Sequence, residues 1–528
     1  MVGIEKSPSD IVFKNFNNTL LSLGHPMKHQ LRALTVSISL CIIGNAHAQP
    51  GTAKLTAGFS FPSQQVKVEV PSKFNGLFNA NRQLTIPIGY KIRVFHTGGL
   101  SKPRFMSFDP KGVLHVADQT AGKVFALPDK NGDGVADTMF EVAGGFSISH
   151  DVKFYKGAMY VTNERQVFKL IDNNGDGIYE TRTVFIDNIA EGATQPGGGH
   201  RTRTLAFDSV NAKAYLSIGS YCNVCREEFR AIIERYNDDG SGRETFANGV
   251  RNAVGMDIQP GTKKLWANNN GSDNQGNEVP PEWFDVVRKG GFYGYPFAYG
   301  NQVYFNMNAN STYRALLPIT AQDSAMVRKM VQPGALIRAH TAPMAIQFLN
   351  SSFPSDMQYG MLSALRGSWN APGSHRGFSV IYLHLKSPTD TVVSYVANFV
   401  TGFLTDSVNR VYWGRPVGLA INNQGSVFIS SDEGSTFILQ LYRDDQAGLK
   451  KIEASSGLKL FPNPVKNVLH VEAAQPIKQL RVVDARGRFC GTFGSPTIDT
   501  QRWPAGVYAV KAELADGSAQ QATFVKCE

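Results

Sequence analysis

Between residues 197 and 299 the chain runs GGGHRTRTLAFD, YLSIGSYCNVC, FANGVRNAVGMD, NNNGSDNQGNEVPPEWF and GGFYGYPFAYG. One histidine, His200, stands there among arginines and a tract of amide and carboxylate oxygens. An imidazole with an ordinary pKa of about 6.5 suits proton removal near neutral pH. Guanidinium groups such as Arg251, Arg366 and Arg415 hold carboxylates through charge-assisted N–H bonds. An oxygen-rich loop running from Asn270 through Gly271, Ser272 and Asp273 to Asn277 and Glu278 suits a hard cation. Glycine-rich loops beside short apolar strands let backbone approach a ligand closely, so the stretch has the composition of a cofactor pocket.

Two further turns carry cation-like spacing. DKNGDGVAD at 129–137 sets out Asp129, Asn131, Asp133 and Asp137, and DNNGDGIYE at 172–180 sets out Asp172, Asn174, Asp176 and Glu180. The Asp-x-Asn-x-Asp-Gly pattern can wrap calcium, but the same Asp-Gly and Asn-Gly pairs also make plain hairpin turns. Neither loop has the twelfth-position glutamate of an EF-hand, and both readings stand. Cys222 and Cys225 are followed by Arg226 rather than histidine, which excludes haem attachment, and no second ligand pair for zinc lies near by. A local disulfide is the expectation, and Cys490 with Cys527 is a second pair able to oxidise after export.

Short alternating apolar strands must position these groups. From residue 103 onward a lead-in, a strand, a Gly, Asp or Asn turn and a second strand recur, with lead-ins near 103, 149, 203, 252, 342 and 415. Repeats of this kind, about 50 residues long with little helix, point to an all-β fold, a six-bladed β-propeller, over a two-sheet sandwich. The chain of 528 residues is longer than one compact core usually supports, so a second, smaller domain is expected. A polar segment at 444–455 leads to it, and residues 456–528 alternate like a small β-sandwich.

Composition narrows the partners. The net charge is +10, yet charged residues make up only 18% with no long basic run, which argues against nucleic acid. Residues 27–48 read as a secretory signal, with Lys28 and Arg32, an apolar run over 34–43 and Ala46-His47-Ala48 as the cleavage site. Residues 1–26 read as an upstream extension. The apolar run is too short for a permanent transmembrane helix, and no later stretch is long enough.

The motifs GHRTRTLAF, SIGSYCNVC, GVRNAVGM, NNGSDNQGNEVPPE, GGFYGYPFAYG, HTAP, RGSWN and WGRPVGLA, in this order over 78–443, resemble the pyrroloquinoline-quinone-dependent sugar dehydrogenases, most closely their sorbosone-dehydrogenase-like branch. The resemblance implies a quinone over the propeller centre, a substrate hydroxyl oxidised by hydride transfer to it, and a separate electron acceptor. It implies His200 as general base, Arg251, Asn252, Arg366 and Arg415 as quinone contacts, and calcium (Ca2+) on Gly271, Ser272, Asn277 and Glu278. Where glucose-oxidising members carry an acidic residue to orient the base, this chain has Ser220. The tail resembles the sorting domain of type IX secretion in FPNP at 461–464, DARGR at 484–488, PAGVY at 504–508 and the terminal FVK. That implies contact with the secretion machinery and release or attachment at the cell surface. A metal-dependent propeller lactonase, needing no such arginines, and a non-catalytic propeller binding glycan or protein are the other classes to separate.

Overall fold

The computed structural model describes residues 53–443, 458–484, 489–516 and 519–527. The signal segment, the upstream extension, the 444–455 linker and most of the DARGR turn lie outside the described residues.

Among the described residues the chain is almost entirely β-structure, with α-helix only at Ser311–Arg314 and Ala321–Arg328. Six sheets account for most of it, antiparallel except where Gly58–Phe59 and Gly291–Phe292 each add a short parallel strand at an edge. Their first strands are Pro103–Phe108, Val152–Tyr155, Leu205–Asp208, Met256–Ile258, Pro343–Phe348 and Gly414–Ile421. Each begins within a few residues of one of the lead-ins read from the sequence. Second strands such as Leu114–Asp118, Ala158–Thr162 and Leu265–Asn269 are buried along their whole length, whereas the fourth strand Thr181–Ile186 is exposed at four of its six positions. Burial on both faces explains why the inner strands begin with apolar residues such as Leu114, Val116, Leu265 and Trp266, and exposure explains why the outer one begins Thr-Arg-Thr.

Each sheet packs on the next through its own apolar layer. Val124, Val142, Val152 and Met159 join the first to the second, and Tyr160, Ile186, Leu205 and Leu216 join the second to the third. The layers continue around the series, and Phe95, Met106, Leu114 and Phe428 join the sixth sheet back to the first. The first strands likewise touch in order, the last returning to the first. Tyr90–Thr97, from the N-terminal side, pairs antiparallel with Phe437–Arg443 and completes the sixth sheet. Two segments far apart in sequence are thereby tied in one ladder.

Residues 301–338, an insertion with no pattern of its own, form both helices. Thr320 and Asp323 cap the second reciprocally, side chain to backbone in each direction. In the tail, a three-stranded sheet and a four-stranded sheet enclose Leu469, Val471, Leu480, Val482, Val510 and Phe524. Cys222 and Cys225 are joined by a disulfide, with a Cα–Cα distance of 6.2 Å. No bridge joins Cys490 to Cys527, both partly buried.

Candidate active site

The lead-ins of five of the six sheets converge on one cavity of about 350 Å³. Lys102 and Arg104 come from the first sheet, His200 to Thr202 from the third, Asn252 and Val254 from the fourth, Ala342 and Met344 from the fifth, and Arg415 from the sixth. Repetition of the same strand order in each sheet brings equivalent positions, far apart in sequence, to one point.

His200 is fixed in one tautomer. Its Nδ1 lies 2.7 Å from the Ser220 carbonyl oxygen and 3.0 Å from Ser220 Oγ. A carbonyl only accepts, and Oγ gives its own proton to the Cys222 carbonyl at 2.8 Å, so Nδ1 carries the hydrogen. Nε2 is left as an acceptor. Ser220 therefore orients the imidazole through its backbone and hydroxyl, at the position where glucose-oxidising members of the resembled family carry an acidic side chain. Gly219 makes the seat possible, since a Cβ there would stand 2.5 Å from Asn252 Oδ1 and 2.6 Å from His200 Cβ. Burial, and then the Arg251 charge, push the imidazole down to about 3. An unperturbed imidazole would titrate near pH 6.5, so the fold changes the sequence expectation: the His200 ring should stay neutral from about pH 5 to 8, and an NMR titration of that ring with a midpoint near 6.5 would contradict this.

One wall is strongly cationic. Arg366 Nε lies 2.9 and 3.1 Å from the two Asp432 oxygens, and its terminal nitrogen 2.6 Å from Glu433. Arg415 donates to Glu433 at 2.9 Å and to the carbonyls of Arg366 and Gly367 at 2.9 and 2.6 Å. Arg104, itself buried, pairs with the fully buried Asp432 carboxylate. Lys102 makes no ion pair among the described residues. Four cations thus face two carboxylates, and the wall carries positive charge in excess. Burial raises the Glu433 carboxyl, but the Tyr412 hydroxyl, Arg415 and Arg366 outweigh it and hold the group at about 2.

The part of the lining around Arg251 differs from the sequence expectation. Arg251 does not offer a free guanidinium: it donates to the carbonyls of Asn223 at 3.0 Å and Gly271 at 2.6 Å, and pairs with Asp273 at 3.4 Å. It braces the oxygen-rich loop. Asn252 lines the cavity, and its carboxamide makes no side-chain hydrogen bond with the described residues. Of the four expected metal positions only Gly271 lines the cavity. Ser272 turns its hydroxyl to Tyr313 at 2.9 Å, Asn277 donates to the Pro372 carbonyl at 3.1 Å, and Glu278 is drawn outward by Arg338 at 3.0 Å and Arg376 at 2.8 Å. The carboxylates on the cavity are Asp273 and Glu282. Glu282 accepts from the backbone N–H of Gly271 at 2.5 Å and of His340 at 3.1 Å, and burial pushes its carboxyl up to about 8. A carboxyl at that level next to carbonyl oxygens marks a place where a cation would stabilise the ionised form.

Lys102, Arg104 and Glu282 were thus missed by sequence reasoning, which named Asp273 only as part of the oxygen-rich tract. Glu282 sits in an apolar strand, EWFDV, where only its glutamate type hinted at a role.

The two Asp-x-Asn-x-Asp-Gly turns lie away from this cavity. Asp129 and Asp172 each accept two backbone N–H groups of their own loop. In the second loop the carboxylates of Asp172, Asp176 and Glu180 come within 4.8 Å of one another, which does not hold for Asp129, Asp133 and Asp137.

Residues 84–442 match the TrAA12-like family, and residues 459–526 match the secretion system C-terminal sorting domain. With that domain at its tail the protein is exported by type IX secretion, to the cell surface or beyond it. An uncharacterized protein of Borreliella burgdorferi is 24% identical over 367 residues, covering 67% of this chain and 89% of its own length. The calcium structure of the Trichoderma reesei carbohydrate-active enzyme of family AA12 superposes with a TM-score of 0.56 at 21% identity, covering 68% of this chain and 96% of that one. The holo form of the pyranose dehydrogenase PQQ domain from Coprinopsis cinerea gives 0.57 at 19%, covering 71% and 100%. These two likenesses establish the fold. No helix among the described residues is long and apolar enough to cross a membrane.

Proposed function

Because the chain belongs to the TrAA12-like family, we propose that it is an exported quinoprotein dehydrogenase that oxidises a sugar, or a sugar-derived alcohol or aldehyde of the sorbosone kind. The observation that carries this reading is a cavity in which a neutral, tautomer-fixed imidazole shares the space with a wall of surplus positive charge. The six sheets are the blades of a six-bladed propeller at 78–443, closed by Tyr90–Thr97, with a sorting domain at 456–528.

The residues fit a polyanionic quinone. Arg104, Arg366 and Arg415 with Lys102 would hold its carboxylates, and Asn252 would add a carboxamide contact. Asp273, Glu282 and the Gly271 carbonyl would hold calcium, with Arg251 bracing their loop. When bound, pyrroloquinoline quinone supplies a two-electron acceptor and Ca2+ a Lewis acid. His200 Nε2 accepts the proton of the substrate hydroxyl while Nδ1–H stays on the Ser220 carbonyl, which keeps the ring oriented through the step. The electrons leave to a separate acceptor. A hydrolase reading has no use for the cationic wall.

Purified mature protein, loaded with quinone and Ca2+, should reduce a redox dye only when sugar is supplied, and a chelator should abolish the reduction reversibly. Hydrolysis of a lactone without dye reduction, or sugar binding with no redox activity, would replace this reading by the alternatives.

A further inference from the structure

The disulfide loop Cys222–Cys225 lies against the oxygen-rich tract without lining the cavity, and Asn223 makes the contact. Its Oδ1 accepts the backbone N–H of Asp273 at 2.7 Å and an Arg251 N–H at 3.1 Å, and its Nδ2 donates to the Asp273 carbonyl at 3.2 Å. One carboxamide thus pairs both backbone groups of Asp273. The Asn223 carbonyl accepts Arg251 Nε at 3.0 Å, so the same residue also holds the guanidinium that braces Gly271. Asn223 itself is tied in place. Its neighbour Val224 is buried in a cluster with Tyr295 and Tyr313, the Cys225 N–H donates to the Tyr295 hydroxyl at 3.1 Å, and the Cys222 carbonyl takes the Ser220 hydroxyl at 2.8 Å.

A cation is held tightly when its ligands are already placed, and the groups behind the ligands do the placing. Asp273 offers a carboxylate on the cavity, and where that carboxylate stands depends first on its own backbone. Here a residue outside the cavity fixes that backbone. Asparagine suits the task because its amide brings an acceptor and a donor on a single methylene, whereas alanine brings neither and aspartate would set an oxygen against the Asp273 carbonyl. We propose that Asn223, held by the Cys222–Cys225 disulfide, is a positioning residue for a divalent cation at Asp273 and Glu282. This rests on the calcium assignment in the proposed function and adds to it what orients the ligands. The role is separate from that of Ser220, which acts on His200.

Calorimetric titration of Ca2+ into the oxidised mature protein, without quinone or sugar, is the test. The heat that disappears in Glu282→Gln identifies the ion of this cavity. Asn223→Ala should weaken that component by about 10- to 100-fold, while the His200 ring keeps its wild-type nitrogen NMR shifts, because the Ser220 carbonyl that fixes it is untouched. Reducing the disulfide of the folded wild type should weaken Ca2+ in the same direction, and reoxidation should restore it. Unchanged affinity in Asn223→Ala overturns the positioning role, and unchanged affinity after reduction overturns the part given to the disulfide. A loss that comes with altered His200 shifts also overturns it, since Asn223 would then support the loops in general. No Glu282-dependent heat in wild type overturns the cation site and this inference with it. Dye reduction by the loaded protein, measured separately, keeps the two ideas apart. Turnover with Asn223-independent Ca2+ affinity removes the positioning role alone, and Asn223-dependent Ca2+ affinity without turnover removes the dehydrogenase reading alone.

Discussion

His200→Ala lowers kcat by about 10²- to 10⁴-fold, the usual contribution of a positioned general base, while quinone affinity stays close to that of wild type. The expectation follows from the separation of tasks in the cavity. The charges able to hold an anionic cofactor are on Lys102, Arg104, Arg366 and Arg415, and none of these depends on the imidazole for its place. Removing the ring takes away the acceptor at Nε2 and frees the Ser220 carbonyl, which keeps a bond from the His200 backbone N–H at 3.0 Å. Local structure is thus retained. His200→Gln is the sharper companion: an amide can donate to the same carbonyl but cannot take up the proton, so it should be as slow as alanine. Stopped-flow reduction of the loaded enzyme reads the step directly. Unchanged turnover in both variants would place the base elsewhere.

The largest effect on folding is expected from Asp432→Ala. The Asp432 carboxylate is fully buried and is shared by Arg104 and Arg366, and without it Arg104 keeps only the His150 Nδ1 contact at 3.3 Å. Leaving a buried guanidinium without its counter-charge costs about 3–5 kcal/mol. Glu433→Ala should cost far less, because the Glu433 side chain is 42% exposed and water screens its pairs. An anionic cofactor restores a counter-charge to the wall, so quinone should stabilise Asp432→Ala more than it stabilises wild type. Denaturant titrations with and without quinone measure both numbers. A deficit that quinone leaves unchanged would mean that Arg104 does not face the ligand.

What the sequence by itself determined was whatever depends on local pattern. Strand periodicity and turn residues announce themselves within about ten neighbours, so the six lead-ins, the almost all-β character and the small β tail were legible from spacing. The short Cys222–Cys225 loop was legible from its spacing, and His200, Arg366 and Arg415, which the fold brings to one cavity, stood out by residue type.

Only the tertiary structure decided which members of a polar tract reach the cavity and what each charge is occupied with. Glu278 and Glu282 lie one strand entry apart in NEVPPEWF, and sequence prefers the one in the polar loop. The fold pairs Glu278 with Arg338 and Arg376, which arrive from other segments, and buries Glu282 against the amides of Gly271 and His340. Arg251 reads as a free anion contact until its carbonyl partners on two other loops are seen. The imidazole of His200 carries no mark in the sequence of its low pKa, because desolvation and the charge of Arg251 are properties of distance in space. Periodicity is written in neighbours along the chain, whereas electrostatic environment is the sum over neighbours that only folding brings together.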